Sequence, residues 1–155
     1  IDITAKKVEY SDKLGYNTLH WALWAGDTPL DILRSLLSVS QKALLMKKLY
    51  GETPLNYAFI RNSPDERILM VIEACPRAVL ICDNDGCTPA YYAVLYERSE
   101  KILRRIFFYQ HRQCGVRGGV KINESSNIVS NETIVGLFFD KWKTELEKVM
   151  KVSKS

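Results

Sequence analysis

The chain has 155 residues, of which 46% are hydrophobic and 26% are charged, and its formal net charge is +4. These values are typical of one ordinary domain with enough apolar residues for a core. No apolar run approaches the ~18 to 20 residues that a membrane span requires, so a transmembrane segment is excluded, whereas peripheral proximity to a membrane stays open.

The charge is unevenly distributed. Residues 1–100 hold 11 of the 22 Lys and Arg and 13 of the 18 Asp and Glu, a balance of −2, and residues 101–155 hold the remaining 11 and 5, a balance of +6. The basic end could meet an acidic partner, a lipid surface or nucleic acid, or it could only keep a helix soluble. No aromatic-basic motif of a known nucleic-acid reader accompanies it, so nucleic acid is not expected as a partner.

Residues 1–14 precede the first recognisable pattern. The chain begins at Ile1 without a methionine, which indicates a fragment, a processed product or a partly ordered protein, and any targeting peptide would not be visible in it. We interpret residues 1–14 as a lead-in or as the tail of an earlier repeat. Val8 and Tyr10 alternate with polar neighbours, which favours a half-exposed, strand-like conformation.

One pattern then occurs three times. It reads Gly15-Tyr16-Asn17-Thr18-Leu19-His20-Trp21-Ala22, then Gly51-Glu52-Thr53-Pro54-Leu55-Asn56-Tyr57-Ala58, then Gly86-Cys87-Thr88-Pro89-Ala90-Tyr91-Tyr92-Ala93. The glycines are 36 and 35 residues apart, a period typical of helical solenoids. Glycine permits the positive φ of a tight turn, threonine can cap a helix, and proline suits the first helical turn. The sequence therefore predicts three units, residues 15–50, 51–85 and 86–109.

Each unit predicts two helices. The first helices are expected at Thr18 to Trp24, Thr53 to Ile60 and Thr88 to Tyr96. The second helix of the first unit is expected to reach Val39 after a cap at Asp27 or Thr28. That of the second unit is expected to run from Pro64 to Ala74 after a break at Asn62 and Ser63, and that of the third unit from Ser99 to about Tyr109. Leu30, Ile32, Leu33, Leu36 and Leu37 follow the helical period.

The repeated pattern resembles the ankyrin repeat, G-x-T-P-L-H-x-A, over Asp12 to Phe108. Asn56 and Tyr91 replace the histidine of the pattern, and Ala90 replaces its leucine. The segments that end in Ala43 and Ala78 resemble a variant of the repeat that is frequent in diatoms and other protists. The resemblance implies an all-α ankyrin-repeat solenoid that binds proteins and has neither catalytic residues nor a cofactor.

In that family, partners lie in a concave surface made by the hairpin tips and the inner helices. Such positions are commonly polar in the family, but here they are largely apolar or aromatic, which is typical of an interface. The alternative is that the glycine-rich loop or the N-terminal segment folds over this surface. Carried onto this chain, the expected partner-binding residues are Leu14, Tyr16, Trp24, Leu49, Tyr50, Ile60, Arg61, Leu95 and Tyr96.

The resemblance also implies that His20 is a buried imidazole bonded to neighbouring backbone. An enzyme is not expected, because the chain has two histidines and no readable pair of catalytic carboxylates or cofactor motif.

The four cysteines show no C-x-x-C pair, so we expect free thiols in a reducing compartment, which means an intracellular location, cytoplasmic or organellar. A zinc site from Cys82, Cys87, His111 and Cys114 lacks the paired spacing of known sites, and no metal is expected.

The period is lost after residue 109. Residues 110–131 predict a Gly-rich polar loop, and residues 132–155 predict an amphipathic helix with a basic tail that covers the open end of the array. Alternatively, the aromatic residues of this helix dock on another protein or at a membrane interface, which would make the protein a peripheral subunit of a large membrane-associated complex, for example in an organelle. The residues of this second contact would be Phe138, Phe139 and Trp142.

Overall fold

A computed structural model describes residues 4–114 of the chain, with side chains up to residue 110. Within that stretch the chain forms helices and no strand, so the all-α prediction is confirmed there. The elements are α1 (Ala5–Glu9), α2 (Thr18–Ala25), α3 (Leu30–Val39), α4 (Gln41–Leu45), α5 (Pro54–Ile60), α6 (Asp65–Ala74), a 3₁₀ turn (Pro76–Leu80), α7 (Pro89–Leu95) and α8 (Glu100–Cys114).

The helices pack in two layers. In the first layer α2 contacts α5 and α5 contacts α7, and in the second layer α3 contacts α6 and α6 contacts α8. Each helix of the first layer also contacts the helix that follows it in the second layer. The apolar core lies between the layers, and its fully buried members include Leu19, Leu23, Leu33, Leu55, Phe59, Ile68, Ile72, Ala93, Ile102 and Ile106.

The first-layer helices begin and end alike. They lie within one residue of their predicted bounds, and the side chains of Asn17, Thr53 and Thr88 accept hydrogen bonds from the first turns of α2, α5 and α7. After each helix the backbone turns left-handed at the same position relative to the motif glycine, at Gly26, Asn62 and Glu97, with φ of 69°, 55° and 51°. The three units therefore share one backbone path through this layer.

The second-layer helices begin differently from the prediction. Pro29 and Pro64 precede α3 and α6, and neither helix has a side-chain cap. The predicted cap at Asp27 or Thr28 is therefore wrong. The Thr28 hydroxyl instead donates to the Ala22 carbonyl at 3.0 Å, and the Ser63 hydroxyl donates to the Leu23 carbonyl at 3.1 Å. These hydroxyls join the start of the second layer to the end of α2.

The N-terminal segment holds a short helix. The Thr4 hydroxyl accepts from Lys7 N at the start of α1, and Val8 is buried with 1% of its surface exposed. The extended conformation predicted around Val8 is therefore wrong, and only Ser11 pairs, in one isolated bridge with Asn17. Ser40 caps α4 at the equivalent position of the next unit, so α1 and α4 correspond.

The C-terminal predictions fall mainly outside the described residues. Helix α8 extends to Cys114, beyond its predicted end at Tyr109. The rest of the predicted loop and the predicted helix over residues 132–155, with Phe138, Phe139 and Trp142, lie outside the described part of the chain. In the part that is described, every helix is too short or too polar to cross a membrane.

Successive hairpin turns touch one another through their backbones. Leu49 N donates to the Leu14 carbonyl at 2.9 Å, and Asn84 N donates to the Tyr50 carbonyl at 3.0 Å. Gly51 has a φ of 81°, and a Cβ added to it would lie 2.7 Å from Asn84 N. Glycine is therefore required there twice, by the left-handed backbone and by the neighbouring hairpin.

We predict that Gly51→Ala lowers the free energy of unfolding by about 3 kcal/mol, because backbone strain adds to a steric conflict with Asn84. The matched control is Gly26→Ala, where φ is 69° but the nearest atom to an added Cβ is 3.9 Å away. This control should cost only about 1 kcal/mol, the strain alone. Denaturant titration of both variants checks the difference, and equal costs would contradict the role of the hairpin contact.

Candidate functional site

Most of the predicted partner-binding residues lie on the surface. Tyr16 and Ile60 are half-buried, and Ile60 packs against the core. The others are exposed, with Leu14, Leu49 and Tyr50 at the hairpin tips and Trp24, Arg61, Leu95 and Tyr96 at the ends of the first-layer helices. The exposed predictions therefore share one layer and its hairpins.

A row of aromatic rings crosses the first unit. The ring centroids of Tyr16 and Trp21 are 5.1 Å apart, and those of Trp21 and Trp24 are 4.7 Å apart. The Arg61 guanidinium, from the second unit, lies 5.1 Å from the centroid of Trp24. The two tryptophans are 44% and 41% exposed, so this row presents flat apolar surface to solvent.

Trp21 was not among the predicted contact residues. It occupies the variable position between the motif histidine and alanine, and the same position holds Tyr57 and Tyr92 in the later units. Three large aromatic residues at one motif position are a feature of the sequence that could have identified Trp21 as a contact residue. We refer to Tyr16, Trp21, Trp24 and Arg61 as the Trp row.

The Trp row adjoins a buried lysine that sequence reasoning also missed. Lys48 Nζ lies 4.9 Å from the ring centroid of Tyr16 and 5.2 Å from those of Tyr50 and Tyr57. It pairs with Glu52 Oε2 at 2.9 Å, and only 5% of the Lys48 side chain is exposed. An ammonium among ring faces is stabilised by cation–π attraction, and the carboxylate compensates its loss of water. We call this group the tyrosine cage.

Lys48 takes the place of an aspartate. At the equivalent positions of the other hairpins, Asp12 Oδ1 accepts from Leu14 N and Tyr16 N, and Asp83 Oδ1 accepts from Asp85 N and Cys87 N. Such a side-chain bond to nearby backbone pins a tight turn. The middle hairpin has no aspartate at this position, and its Lys48 side chain turns instead toward Glu52 and the tyrosines.

The tyrosine hydroxyls near this surface keep their protons. Burial, with a further contribution from the Tyr16 hydroxyl, raises the pKa of Tyr57 to about 12. Burial also raises the pKa of Tyr92, whose hydroxyl donates to Asp83 Oδ2. Both phenols are therefore neutral near pH 7 and act as hydrogen-bonding and packing groups.

The third unit carries a separate aromatic pair. Tyr92 and Tyr96 stack with their centroids 6.0 Å apart and their planes at 6°. Among the described residues, no ring contact connects this pair to the Trp row. The Trp row and the tyrosine cage share Tyr16 and belong to the first two units, whereas the predicted residues Leu95 and Tyr96 belong to the third unit.

His20 is buried and bonded to backbone, as the resemblance implied. Its Nε2 donates to the Glu52 carbonyl at 3.0 Å, and Asn17 N donates to its Nδ1 at 3.2 Å. Burial lowers the pKa of His20 to about 4, so the imidazole is neutral in the folded protein near pH 7. Its two nitrogens are occupied by structural hydrogen bonds across the first two units.

The described cysteines are thiols. Cys75, Cys82 and Cys87 form no disulfide, and burial raises the pKa of Cys75 and of Cys87. Within the described residues, no group of histidine, cysteine, aspartate and glutamate is arranged to hold a metal ion. The side chains of His111 and Cys114 lie outside that part of the chain, and so does any zinc site that would include them.

No protein-family model matches the chain, and neither a curated protein nor a solved structure matches it. The function is therefore inferred from the geometry of this surface.

We predict that acid destabilises the protein through His20. The unfolded chain protonates this imidazole below pH 6.5, whereas the folded chain resists protonation to about pH 4, so stability is full above pH 6.5 and falls as pH decreases through this window. Between pH 7 and pH 5 the loss attributable to His20 should be about 2 kcal/mol. His20→Asn, which copies the residue of the second unit, should remove that part of the pH dependence. His111 is present in both proteins, and identical pH slopes in chemical denaturation would contradict the prediction.

We also predict strong coupling between Lys48 and Glu52. Lys48→Met should lower the free energy of unfolding by about 3 kcal/mol, because it leaves a mostly buried carboxylate without its cation. The double variant Lys48→Met, Glu52→Gln should be more stable than Lys48→Met alone, since no charge is then buried. Urea denaturation of both single variants and the double variant measures the coupling. If the changes in the free energy of unfolding of the two single variants simply add up in the double variant, the ion pair does not stabilise the tyrosine cage.

Proposed function

We propose that the protein is a non-catalytic protein-interaction module of the ankyrin-repeat type, a solenoid whose first-layer helices and hairpins bind a partner. Support comes from the G-x-T-P-L-H-x-A pattern at a period of 36 and 35 residues and from the left-handed turns at equivalent positions. Within the described residues the main helix contacts of each layer join adjacent units, α2 to α5 to α7 and α3 to α6 to α8, which is typical of repeat arrays.

The observation that carries this proposal is the continuity of the exposed aromatic surface. The Trp row begins at Tyr16, which is also a wall of the tyrosine cage, so the two groups form one surface that ends at Tyr50 on one side and Arg61 on the other. Single exposed apolar side chains are normal, but contiguous aromatic surface with an arginine has the composition of an interface hot spot.

Catalysis is not part of the proposal because two buried groups of the described part of the chain that could transfer protons, His20 and Tyr92, have structural tasks. His20 bonds to backbone on both sides of its ring, and the hydroxyl of Tyr92 donates to Asp83. Burial moves the pKa of each away from neutrality, downward for His20 and upward for Tyr92. None of these groups is poised for acid–base chemistry near pH 7.

The partner can be isolated by affinity purification of the full chain from its native source with mass spectrometry. We predict that Trp24→Ala weakens the complex by ~2 kcal/mol or more, about 30-fold in Kd, because an exposed aromatic anchor is lost. The matched control is Phe107→Ala, since Phe107 is also 41% exposed but belongs to α8 in the second layer.

Both variants should keep the circular dichroism spectrum and melting temperature of the parent protein, because neither residue belongs to the buried core. A Trp24→Ala protein that loses its fold while any recovered affinity stays unchanged would contradict the proposal. It would place Trp24 in the core rather than in the interface.

A further inference from the structure

Arg61 is the cation of the Trp row, and no described carboxylate compensates its charge. Lys48 pairs with Glu52 at 2.9 Å, and Arg98 pairs with Asp65 at 3.1 Å. Among the described residues no carboxylate forms an ion pair with Arg61, and its guanidinium is held over the ring of Trp24 instead. The aromatic contact restrains the side chain and satisfies none of its N–H donors.

A guanidinium held in this way is suited to a carboxylate. Its planar fork offers parallel N–H donors that match two carboxylate oxygens, and a side chain already resting on a ring loses less freedom on binding. The indole beside it reduces the access of water on one side, which strengthens a charge-assisted hydrogen bond. The positive charge and the fork geometry of Arg61 therefore favour a carboxylate as its binding partner.

The rest of the Trp row indicates what accompanies that carboxylate. Trp21 and Trp24 pack against each other with centroids 4.7 Å apart and planes tilted by 35°, and both are more than 40% exposed. The exposed parts of such rings offer apolar contact to proline or aromatic side chains, and extended proline-containing segments dock on aromatic surfaces.

We propose that the Trp row binds an extended acidic segment of a partner protein, with a partner carboxylate on the Arg61 guanidinium and a neighbouring proline or aromatic side chain on Trp21 and Trp24. The inference rests on the proposed function and specifies the partner for that surface.

Charge argues against the other occupants. A nucleic-acid strand requires a track of several cations, whereas the Trp row itself contains one cation, Arg61, and the ammonium of the adjoining Lys48 is already paired with a carboxylate. The C-terminal residues of the same chain, 101–155, carry 11 Lys and Arg against 5 Asp and Glu, so the net charge of that segment has the same sign as the charge of Arg61. A second copy of this chain, bound through the same surface, would bring another uncompensated Arg61 to it, and the two like charges would repel each other.

The test selects short random peptides from a displayed library on the immobilised full chain. We expect enrichment of peptides in which Asp or Glu adjoins Pro, Trp, Tyr or Phe. For an enriched peptide, replacing its Glu by Gln should weaken binding to the parent protein about tenfold and have no effect on binding to Arg61→Gln. The control Arg34→Gln, an exposed arginine on α3 in the other layer, should behave as the parent.

Other outcomes overturn the inference and leave the proposed function to its own test. Peptides that need Trp24 but carry no carboxylate, and that bind Arg61→Gln equally well, would assign an apolar partner. A selection in which no peptide depends on Trp24, while the native partner does, would exclude an extended segment. Binding of a labelled single-stranded oligonucleotide that Arg61→Gln abolishes would assign nucleic acid. Concentration-dependent dimerisation that Arg61→Gln abolishes would assign a second copy.

Discussion

The close backbone approach of successive hairpins sets the register of the molecule. The hydrogen bond from Leu49 N to the Leu14 carbonyl and the bond from Asn84 N to the Tyr50 carbonyl fix each hairpin against the one before it. Neither approach tolerates a side chain on the motif glycine, because a Cβ on Gly15 or Gly51 would meet the next hairpin at 2.7 Å. With the hairpins in register, the helices that follow them have no freedom to slide, and the motif positions of adjacent units come face to face.

The surface follows from this register and from one departure in the middle hairpin. Because Tyr16 and Tyr57 belong to adjacent units held side by side, their rings meet 5.4 Å apart. An aspartate at position 48 would have used its carboxylate on the hairpin backbone, as Asp12 does. The lysine instead places its ammonium beside both rings, so a residue of the hairpin turn becomes part of the tyrosine cage.

Local chemistry in the sequence predicted the first-layer helices, whereas the resemblance to the ankyrin repeat implied the exposure of Trp24 in that layer and the burial of His20. These features depend on residues within one motif: a cap such as Thr53, a proline at the first helical turn and a glycine before them. The helix α1 was missed because the alternation of Val8 with polar neighbours suits a strand, whereas the short helix is decided by a Thr4 cap and by packing against α4. Lys48 was missed because a lysine in a turn is ordinarily exposed. Its burial requires rings from residues 16, 50 and 57, which only the tertiary fold assembles.

The hydrogen bonds between units reach only to the adjoining unit. His20 bonds to Glu52 in the second unit, and Gly51 lies against Asn84 at the next hairpin, while no described bond joins the first hairpin to the third. The energetic effect of a substitution in one unit is therefore expected to reach the adjoining unit first. Substitutions on either side of one hairpin contact are coupled, whereas a substitution near His20 and another near Tyr92 combine additively. The third unit, with the hairpin that opens it, meets the proposed interaction surface through hydrogen bonds at two places, where Asn84 N bonds to the Tyr50 carbonyl and where Arg98 bonds to Asn62, the neighbour of Arg61. Sequence change at these two contacts therefore reaches the surface directly, whereas change elsewhere in the third unit reaches it less directly.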